Sequence, residues 1–215
     1  MKAILIPVKE FQRSKERLAP HYSQDDRAAL AAAMCEDFFR LVASVRGVDR
    51  IYVVSKEYKA LTLAQQLNFE TIIESEQISE SHSVDAASRY CEERGVGALL
   101  RLPIDIPLAT ATDIESIFAE SEVAPSAVIV PSRDDTGTNA LLRSPPALFL
   151  SHFGPNSFAL HLEEAERAGA KVKIVRNERL ALDIDDVEDL REVAARLADN
   201  TATSRWIRRF QYQTY

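Results

Sequence analysis

A chain of 215 residues is long enough for one well-buried domain and short for two. Its net charge of −7, from 33 acidic and 26 basic residues, argues against a sequence-independent nucleic-acid binder, which needs a broad basic surface. No stretch approaches the roughly 18 apolar residues of a membrane span, and the apolar run at residues 3–8 is too short for a signal peptide. We therefore expect a cytoplasmic protein with one domain over residues 1–200, and neither nucleic acid nor membrane among its partners.

Short β-branched runs alternate with longer amphipathic segments along the chain. This alternation is typical of an α/β fold with a mostly parallel, mixed central sheet flanked by helices. In chain order, the predicted elements are strand 3–8, helix 24–45 capped by Ser23 and Asp26, strand 50–54, helix 58–67, strand 71–73, helix 83–94, strand 98–102, a helix capped by Thr112 and ending near 119, strand 127–131, extended segment 139–142, helix 158–168, strand 171–175, strand 181–183 and helix 187–197.

The tail at residues 201–215 interleaves aromatic and apolar side chains with arginines. The apolar members are Trp206, Ile207, Phe210, Tyr212 and Tyr215. A basic aromatic segment can bind RNA, but the acidic net charge makes this the weakest interpretation. Because so many apolar side chains need cover, we expect the tail to dock on the body of the domain or on a second subunit, as in a homodimer.

The first candidate site segment follows strand 3–8. Four cations stand within nine residues there, namely Lys9, Arg13, Lys15 and Arg17. Lysine and arginine neutralise phosphate oxygens, so this segment is a candidate cradle for a triphosphate. The alternative is an ordinary solvated run of charges, which the intervening Glu10 and Glu16 permit.

Asp105 directly follows an apolar strand and lies between Pro103 and Pro107. In an open parallel sheet, ligands bind at the carboxyl ends of the strands, and prolines stiffen the backbone there. A carboxylate at a fixed position suits a magnesium ion. The alternative is a turn-forming aspartate, which is common beside proline.

Asp183 and Asp185 alternate on a segment expected to be extended, so both face the same side. Together with an acid from another strand they would surround a divalent ion. Asp185 with Glu188 could instead cap the following helix. That alternative does not account for Asp183, because it extends the apolar run 180–182.

Two neutral segments complete the candidate site. Gly154 and Ser157 precede a helix, whose free N–H groups and hydroxyl could receive an anion. Thr138, with Thr136 and Asn139, supplies further donors from a neighbouring loop. The alternative is turn and capping chemistry only. The two cysteines and four histidines show no spacing typical of a metal site, so we expect two buried thiols and no zinc.

Five segments in this order resemble the guanylyltransferases of deazaflavin coenzyme (F-420) biosynthesis, over residues 2–197. They are Ile6-Pro7-Val8-Lys9 with Lys15 and Arg17-Leu18, Leu102-Pro103-Ile104-Asp105-Ile106-Pro107-Leu108, Gly137-Thr138-Asn139-Ala140-Leu141, Phe153-Gly154-Pro155-Asn156-Ser157-Phe158 and Asp183-Ile184-Asp185. Each segment alone is weak evidence for the family, whereas five segments in the same order are a specific match. The resemblance implies a nucleotide-diphosphosugar-transferase-like fold.

The resemblance also implies a reaction. The phosphate of 2-phospho-L-lactate, phosphoenolpyruvate or 3-phospho-D-glycerate attacks the α-phosphorus of GTP, and pyrophosphate leaves. It implies that Asp105, Asp183 and Asp185 hold Mg²⁺, that Thr138, Gly154 and Ser157 hold the acid's phosphate, and that Lys9, Lys15, Arg17 and Asp105 are catalytic. A downstream transferase of the same pathway is a further expected partner. Phosphoryl-type transfer needs charge neutralisation and alignment of the substrates more than it needs a protein nucleophile. The candidate residues agree with this requirement, because they are cations and metal-binding acids.

One segment departs from the family pattern. Where the family has a Gly-Leu-Asn type of helix start, this chain has Ser81-His82-Ser83-Val84-Asp85. The sequence therefore does not determine which of the three acids is the substrate. Two alternatives remain for the activity itself: a sugar-phosphate or molybdopterin type of nucleotidyltransferase, and a non-catalytic nucleotide-binding protein. The first usually carries a glycine-rich loop that is absent here, and the three acids count against the second.

Overall fold

The computed structural model of the chain describes residues 1–211. The strands are β1 (Lys2–Val8), β2 (Arg50–Ser55), β3 (Glu70–Ile73), β4 (Ala98–Arg101), β5 (Ser126–Pro131), β6 (Thr138–Ser144) and β7 (Lys171–Ile174). The helices are α1 (Gln24–Val42), α2 (Tyr58–Gln66), α3 (Glu80–Glu93), α4 (Ala111–Ala119), α5 (Ser157–Arg167), α6 (Val187–Arg196) and α7 (Ala202–Gln211). Within residues 1–211, no helix has the length and apolar character needed to cross a bilayer.

The strands form one mixed sheet in the order β3-β2-β1-β4-β6-β5-β7. Strand β6 pairs antiparallel with β4 and β5, whereas the pairs β1/β2, β1/β4, β2/β3 and β5/β7 are parallel. The predicted α/β class with a mostly parallel, mixed sheet is therefore confirmed. Because β6 runs in the opposite direction, its first residue, Thr138, lies at the edge where the parallel strands end. That reversal brings the start of β6 beside the residues that follow β1 and β4.

Helices cover both faces of the sheet. Successive side chains of a strand point to opposite faces, so Ile4 and Ile6 pack with α1, α2 and α4, whereas Ala3 and Leu5 pack with α3. Helix α5 covers the far end of the second face, over β5 and β6. The long apolar faces that the sequence predicts for the helices thus pack against the two faces of the sheet. In the part of the chain that the structure describes, the edge where the parallel strands end is not covered in this way, and polar residues lie there.

Several predicted boundaries were wrong, among them the end of helix 24–45, which stops at Val42. Residues 181–183 form no strand, because they make single hydrogen bonds to separate segments: the N–H of Arg133 donates to Ala181 O, and the side-chain amide of Asn139 donates to Oδ1 of Asp183. Helix α4 is capped by Thr110 with Asp113 in a capping box, two residues before the predicted Thr112. Helix α3 begins at Glu80, because the Ser79 side chain accepts from the N–H of His82. The predicted Ser23 cap of α1 is confirmed.

The described part of the tail is helix α7, which packs on α1 and α6. Trp206 and Ile207 are buried against Leu30 and Met34 of α1, and the indole N–H donates to Asp26 O at 3.0 Å. The carboxylate of Asp37 on α1 accepts the N–H groups of Ala202 and Thr203 at 2.8 and 2.7 Å, which satisfies the start of α7. Tyr212 and Tyr215 lie outside the described residues, and docking on a second subunit stays a prediction.

Candidate active site

Three carboxylates meet at the edge of the sheet where the parallel strands end. Asp105 follows β4, whereas Asp183 and Asp185 lie on the segment between β7 and α6. Each contributes a carboxylate oxygen, and these oxygens lie within 4.8 Å of one another. The N–H of Ile184 donates to the carbonyl oxygen of Asp105 at 3.0 Å and joins the two segments. The fold therefore brings together the three acids that the sequence predicts as metal ligands.

The cap of α6 is Asp186. Its carboxylate accepts the N–H groups of Glu188 and Asp189, and the carboxylate of Asp189 accepts the N–H of Asp186 in return. The alternative that Asp185 with Glu188 caps this helix was wrong, since the aspartate one residue later does so. The side chain of Asp185 is left to face the acid cluster.

Lys15 enters the acid cluster from the segment after β1. Its Nζ lies 2.5 Å from Oδ2 of Asp105, 2.5 Å from the carbonyl oxygen of Ile184 and 3.6 Å from Oδ1 of Asp185. The side chain is only 7% exposed. Its backbone has φ 55° and ψ 45°, a left-handed conformation that costs a non-glycine residue about 1 kcal/mol or more. Backbone strain beneath a buried cation is typical of functional sites.

The pKa values of two acids in the cluster, Asp105 and Asp183, shift in opposite directions. Burial by itself raises the pKa of Asp105, but the charge and hydrogen bond of Lys15 outweigh it and hold that pKa below its usual range. Burial, followed by the charges of Asp105 and Asp185, raises the pKa of Asp183 to about 6. Burial lowers the pKa of Lys15, yet the charges of Asp105 and Asp185 more than compensate and raise it. One lysine thus stabilises Asp105 as a carboxylate and leaves Asp183 short of positive charge.

A divalent cation fits this set of donors. Mg²⁺ prefers carboxylate oxygens at fixed positions, and three of them converge here from two rigid segments. The amide of Asn139 donates to Oδ1 of Asp183 at 3.1 Å and orients that carboxylate. The raised pKa of Asp183 marks the same need for positive charge. Asp105, Asp183 and Asp185 are therefore the residues that could hold a metal ion.

The first cavity lies between the segment after β1 and the start of α3, and it has a volume of about 530 Å³. It is lined by the four cations that the sequence predicts to bind a triphosphate, namely Lys9, Arg13, Lys15 and Arg17. Arg17 is exposed, and its Nη1 lies 3.0 Å from Oδ2 of Asp185, so it adds positive charge beside the acids. Lys9 is exposed and makes no ion pair within residues 1–211. A polyanion in this cavity would meet these four cations of the segment after β1, which is the arrangement expected of a triphosphate site.

The second cavity lies between the start of β6, the turn at residues 153–157 and the segment at residues 181–186, and it has a volume of about 650 Å³. Thr138, Gly154 and Ser157, predicted to hold an anion, all line it. Gly154 has a φ of 127°, which residues with a side chain rarely adopt. Both cavities are lined by Asp105 and Asp185, so the acid cluster stands in their common wall.

The start of α5 offers fewer free N–H groups than the sequence predicts. The N–H of Ser157 donates to Gly154 O, and the N–H of Phe158 donates to Thr136 O, both at 3.2 Å. The residue before the helix, Asn156, is left-handed and makes no side-chain cap. An anion near this helix would therefore rely on hydroxyl groups more than on the helix start.

His161, on α5, orients the hydroxyl of Thr138. The N–H of His152 donates to Nε2 of His161 at 2.9 Å, so Nε2 carries no proton in the neutral ring. Burial, followed by the charges of Arg143 and Arg101, lowers the pKa of His161 to about 3, so the ring is neutral. Its single proton is on Nδ1, which donates to Oγ1 of Thr138 at 3.0 Å. The hydroxyl hydrogen of Thr138 is thereby free to donate to a ligand.

Arg101, the last residue of β4, lines both cavities. It forms an ion pair with Glu80 at the start of α3, and Nη1 donates to the carbonyl oxygens of Thr138 and Asn139 at 3.3 Å each. Its guanidinium lies 4.0 Å from the centre of the Phe153 ring. A buried cation thus stands in the wall between the predicted sites for the two substrates.

Sequence reasoning missed both His161 and Arg101. A signal existed for Arg101, because a charged residue interrupts the apolar strand at residues 99–102. No local signal existed for His161, since it contacts residues from β6 and from the loop before α5. The atypical segment at residues 81–85 also has a place here: Ser81 Oγ accepts the N–H of Phe153 at 2.8 Å, and Asp85 accepts the N–H of Ser151. It therefore anchors one wall of the second cavity.

Comparison with known proteins identifies the family of the chain. The model of a family described as guanylyl transferase CofC like matches residues 1–214. The phosphoenolpyruvate guanylyltransferase of Rubrobacter xylanophilus is 35% identical over 193 residues, which cover 89% of this chain and 92% of the relative. The 2-phospho-L-lactate guanylyltransferase of Methanobrevibacter smithii is 28% identical over 204 residues, which cover 95% of this chain and 88% of the relative.

A solved structure from Desulfovibrio desulfuricans G20, assigned to the nucleotide-diphospho-sugar transferases, has the same fold. It superposes with a TM-score of 0.78 at 16% identity, covering 98% of this chain and 95% of the other. At that identity the likeness concerns the fold alone, and it confirms the fold expected from the sequence.

Proposed function

Since the chain belongs to the family of CofC-like guanylyltransferases, we propose that it transfers the guanylyl group of GTP to the phosphate of a three-carbon phosphoacid. The candidate acids are phosphoenolpyruvate, 2-phospho-L-lactate and 3-phospho-D-glycerate. One observation carries the proposal: the cluster of Asp105, Asp183 and Asp185 lies in the wall between two cavities. GTP in the first cavity and the acid in the second both reach that cluster.

The first cavity suits the triphosphate of GTP. Lys9, Lys15 and Arg17 neutralise its charge, and the buried amine of Lys15 is fixed by Asp105 and Ile184 before the nucleotide binds. A cation held in place requires little reorganisation during the reaction, which favours a transition state rich in phosphate charge.

The reaction that we propose needs no protein nucleophile. A phosphate oxygen of the acid attacks the α-phosphorus of GTP, the bond from that phosphorus to the bridging oxygen breaks, and pyrophosphate leaves with the electron pair. Because the attacking oxygen is already ionised near neutral pH, no side chain has to remove a proton. Mg²⁺ held by Asp105, Asp183 and Asp185 would neutralise the negative charge of both substrates.

The second cavity suits the acid. The Thr138 hydroxyl, oriented by His161, and the Ser157 hydroxyl donate to its phosphate, and the turn at Gly154 leaves room for it. The product is a diphosphate-linked guanosine adduct. In coenzyme F-420 biosynthesis, where we place this activity, a downstream transferase would accept that adduct.

The test is release of pyrophosphate from GTP and Mg²⁺, measured separately with each of the three acids. The downstream transferase is included in a parallel set, in case the adduct stays on the enzyme. We expect release with one acid and not with the others. Replacing GTP with ATP, CTP or UTP in the same assay measures the strictness for the base.

Two outcomes would contradict the proposal. If a folded protein that binds GTP releases no pyrophosphate with any of the three acids, the result would favour another phosphorylated acceptor or a non-catalytic nucleotide-binding protein. Turnover of a sugar phosphate instead would favour the sugar-phosphate type of nucleotidyltransferase.

A further inference from the structure

Arg101 is a buried arginine whose hydrogen bonds are incomplete. Its side chain is 7% exposed, and its Nε atom is buried with no hydrogen-bond partner within residues 1–211. Of the remaining nitrogens, Nη1 contacts two carbonyl oxygens and Nη2 contacts Glu80. A buried polar atom without a partner is costly, so a donor left unused beside a cavity indicates a ligand.

Arg143, the other buried arginine on the sheet, provides a contrast. Its guanidinium contacts Phe149 O, the hydroxyl of Ser88 and the carboxylate of Asp85, and it lines neither cavity. That is the pattern of an arginine that supports the fold. Arg101 differs in both respects, because it faces both cavities and keeps an unused donor.

The partner of Arg101 is easily displaced. The side chain of Glu80 is 41% exposed, and it projects from the first turn of α3 into the same cavities. An exposed carboxylate loses little when water replaces its partner, whereas the buried guanidinium needs an anion. A second carboxylate entering the cavity can therefore exchange with Glu80.

The position of Arg101 is set from several sides. Phe153 stacks on its guanidinium, and the N–H of Phe153 is held in turn by Ser81 Oγ at 2.8 Å. Asp105, four residues along the chain, lines the same cavity. The guanidinium and the three acids of the cluster thus line one cavity.

We infer that Arg101 binds the carboxylate of the acid substrate, with Glu80 occupying its place until the acid arrives. This inference rests on the proposed function and adds the residue that recognises the second anionic group of the substrate. The fork of a guanidinium matches the two oxygens of a carboxylate, and hydroxyl groups do not supply that charge. Phosphate at the acid cluster and carboxylate at Arg101 would fix both ends of a three-carbon acid.

The test compares wild type with Arg101→Gln and Arg101→Lys. We expect kcat/KM for the phosphoacid to fall about 10- to 100-fold in Arg101→Gln, with the KM for GTP unchanged, because charged hydrogen bonds are lost. Arg101→Lys keeps the charge without the fork and should lie between the two. Isopropyl phosphate, which has a methyl group in place of the carboxylate of 2-phospholactate, should be used equally poorly by wild type and by Arg101→Gln.

Arg94→Gln is the matched control. Arg94 also lies over an aromatic ring, that of Tyr90, and donates to a backbone carbonyl, but it lines neither cavity. Its kinetic constants should match those of wild type. Glu80→Gln serves where Arg101 variants do not fold: removing the competing charge should lower the KM for the acid, and an unchanged or raised KM would contradict the inference.

Calorimetric binding of each acid without GTP separates two kinds of failure. If wild type releases pyrophosphate and Arg101→Gln binds and turns over the acid equally well, this inference fails and the proposed function stands. If wild type neither binds nor turns over any of the three acids, both fail.

Discussion

Nδ1 of His161 lies 3.0 Å from Oγ1 of Thr138, and this pair determines the direction of a hydroxyl that faces the second cavity. Because Nε2 of the ring accepts the N–H of His152, the proton on Nδ1 is committed to Thr138. The pair connects the buried interior of α5 with the cavity, and it makes His161 a positioning residue for the proposed acid site.

His161→Phe should raise the KM for the acid about 5- to 30-fold and leave the KM for GTP unchanged, because the Thr138 hydroxyl loses its orientation. His161→Gln should recover much of the loss, since its amide can both accept and donate. In a Thr138→Val background, His161→Phe should have no further effect on the KM for the acid. Equal losses in both backgrounds would show that His161 serves the fold alone.

The buried state of His161 also predicts a dependence of stability on pH. Its folded pKa of about 3 lies below the ordinary value of 6.5, so between these values the unfolded chain binds more protons. The free energy of unfolding should therefore fall as the pH drops from 6.5 towards 3. Urea unfolding at pH 7 and pH 5 measures this fall, and the His161→Gln variant should show a smaller one. An equal fall in both proteins would contradict the assignment to His161.

Asp183→Asn should stabilise the metal-free protein at pH 7 by about 1 to 3 kcal/mol, because it removes a carboxylate whose pKa is raised to about 6. The sign follows from proton binding: between the ordinary value of 3.8 and about 6 the folded chain binds more protons, so the stabilising effect of this acid's protonation is lost as the pH rises. The gain of the variant should thus be small at pH 4 and full at pH 7. Urea unfolding at the two pH values measures it.

The same variant should lose at least about 100-fold in Mg²⁺-dependent turnover and lose the rise in thermal midpoint that Mg²⁺ gives to wild type. Asp199→Asn is the control, since Asp199 is exposed and pairs with Arg208 away from both cavities. A variant that unfolds, or that turns over normally, would contradict the metal role of Asp183.

Lys15→Met should destabilise the metal-free protein by about 3 kcal/mol, because it leaves Asp105 and Asp185 without their buried partner. Its raised pKa keeps Lys15 charged at neutral pH, and the stability it contributes is present below the ordinary value of 10.5. Added Mg²⁺ should restore part of the loss, which thermal unfolding with and without the ion measures. Lys9→Met is the stability control, because Lys9 is exposed, and an equal effect in both variants would contradict the pairing.

Trp206→Ala should lower the free energy of unfolding by about 3 to 5 kcal/mol, because Trp206 is buried between α7 and α1. Urea unfolding measures the loss, and the kinetic constants of the folded variant should match those of wild type. The exposed Tyr58 provides a control, whose replacement by alanine should cost far less. No loss in Trp206→Ala would show that α7 is not docked in solution. Light scattering tests the homodimer, for which the buried face of α7 gives no support.

Local sequence patterns were sufficient to predict the α/β class and the three acids that the fold brings together. Hydrophobic periodicity and capping residues act over a few neighbours, so the alternation of strands and helices can be predicted from local patterns. Asp105 could be predicted as a site residue because it follows an apolar strand, at the edge where open sheets bind ligands, and Asp183 because it extends an apolar run. The local rules predicted a strand at residues 181–183 that does not form, and they misplaced the caps at Thr110 and Asp186, where two candidates stand within two residues of each other.

Contacts between residues far apart in the sequence became visible only in the folded structure. Lys15 reaches Asp105 across 90 residues of sequence, His161 reaches Thr138 across 23, and Arg101 reaches Glu80 across 21. No periodicity encodes these contacts, since they depend on the order of strands in the sheet and on the reversed direction of β6. The burial that makes His161 neutral and Asp183 hard to ionise likewise arises only when the chain has folded, because an unfolded segment exposes both to water.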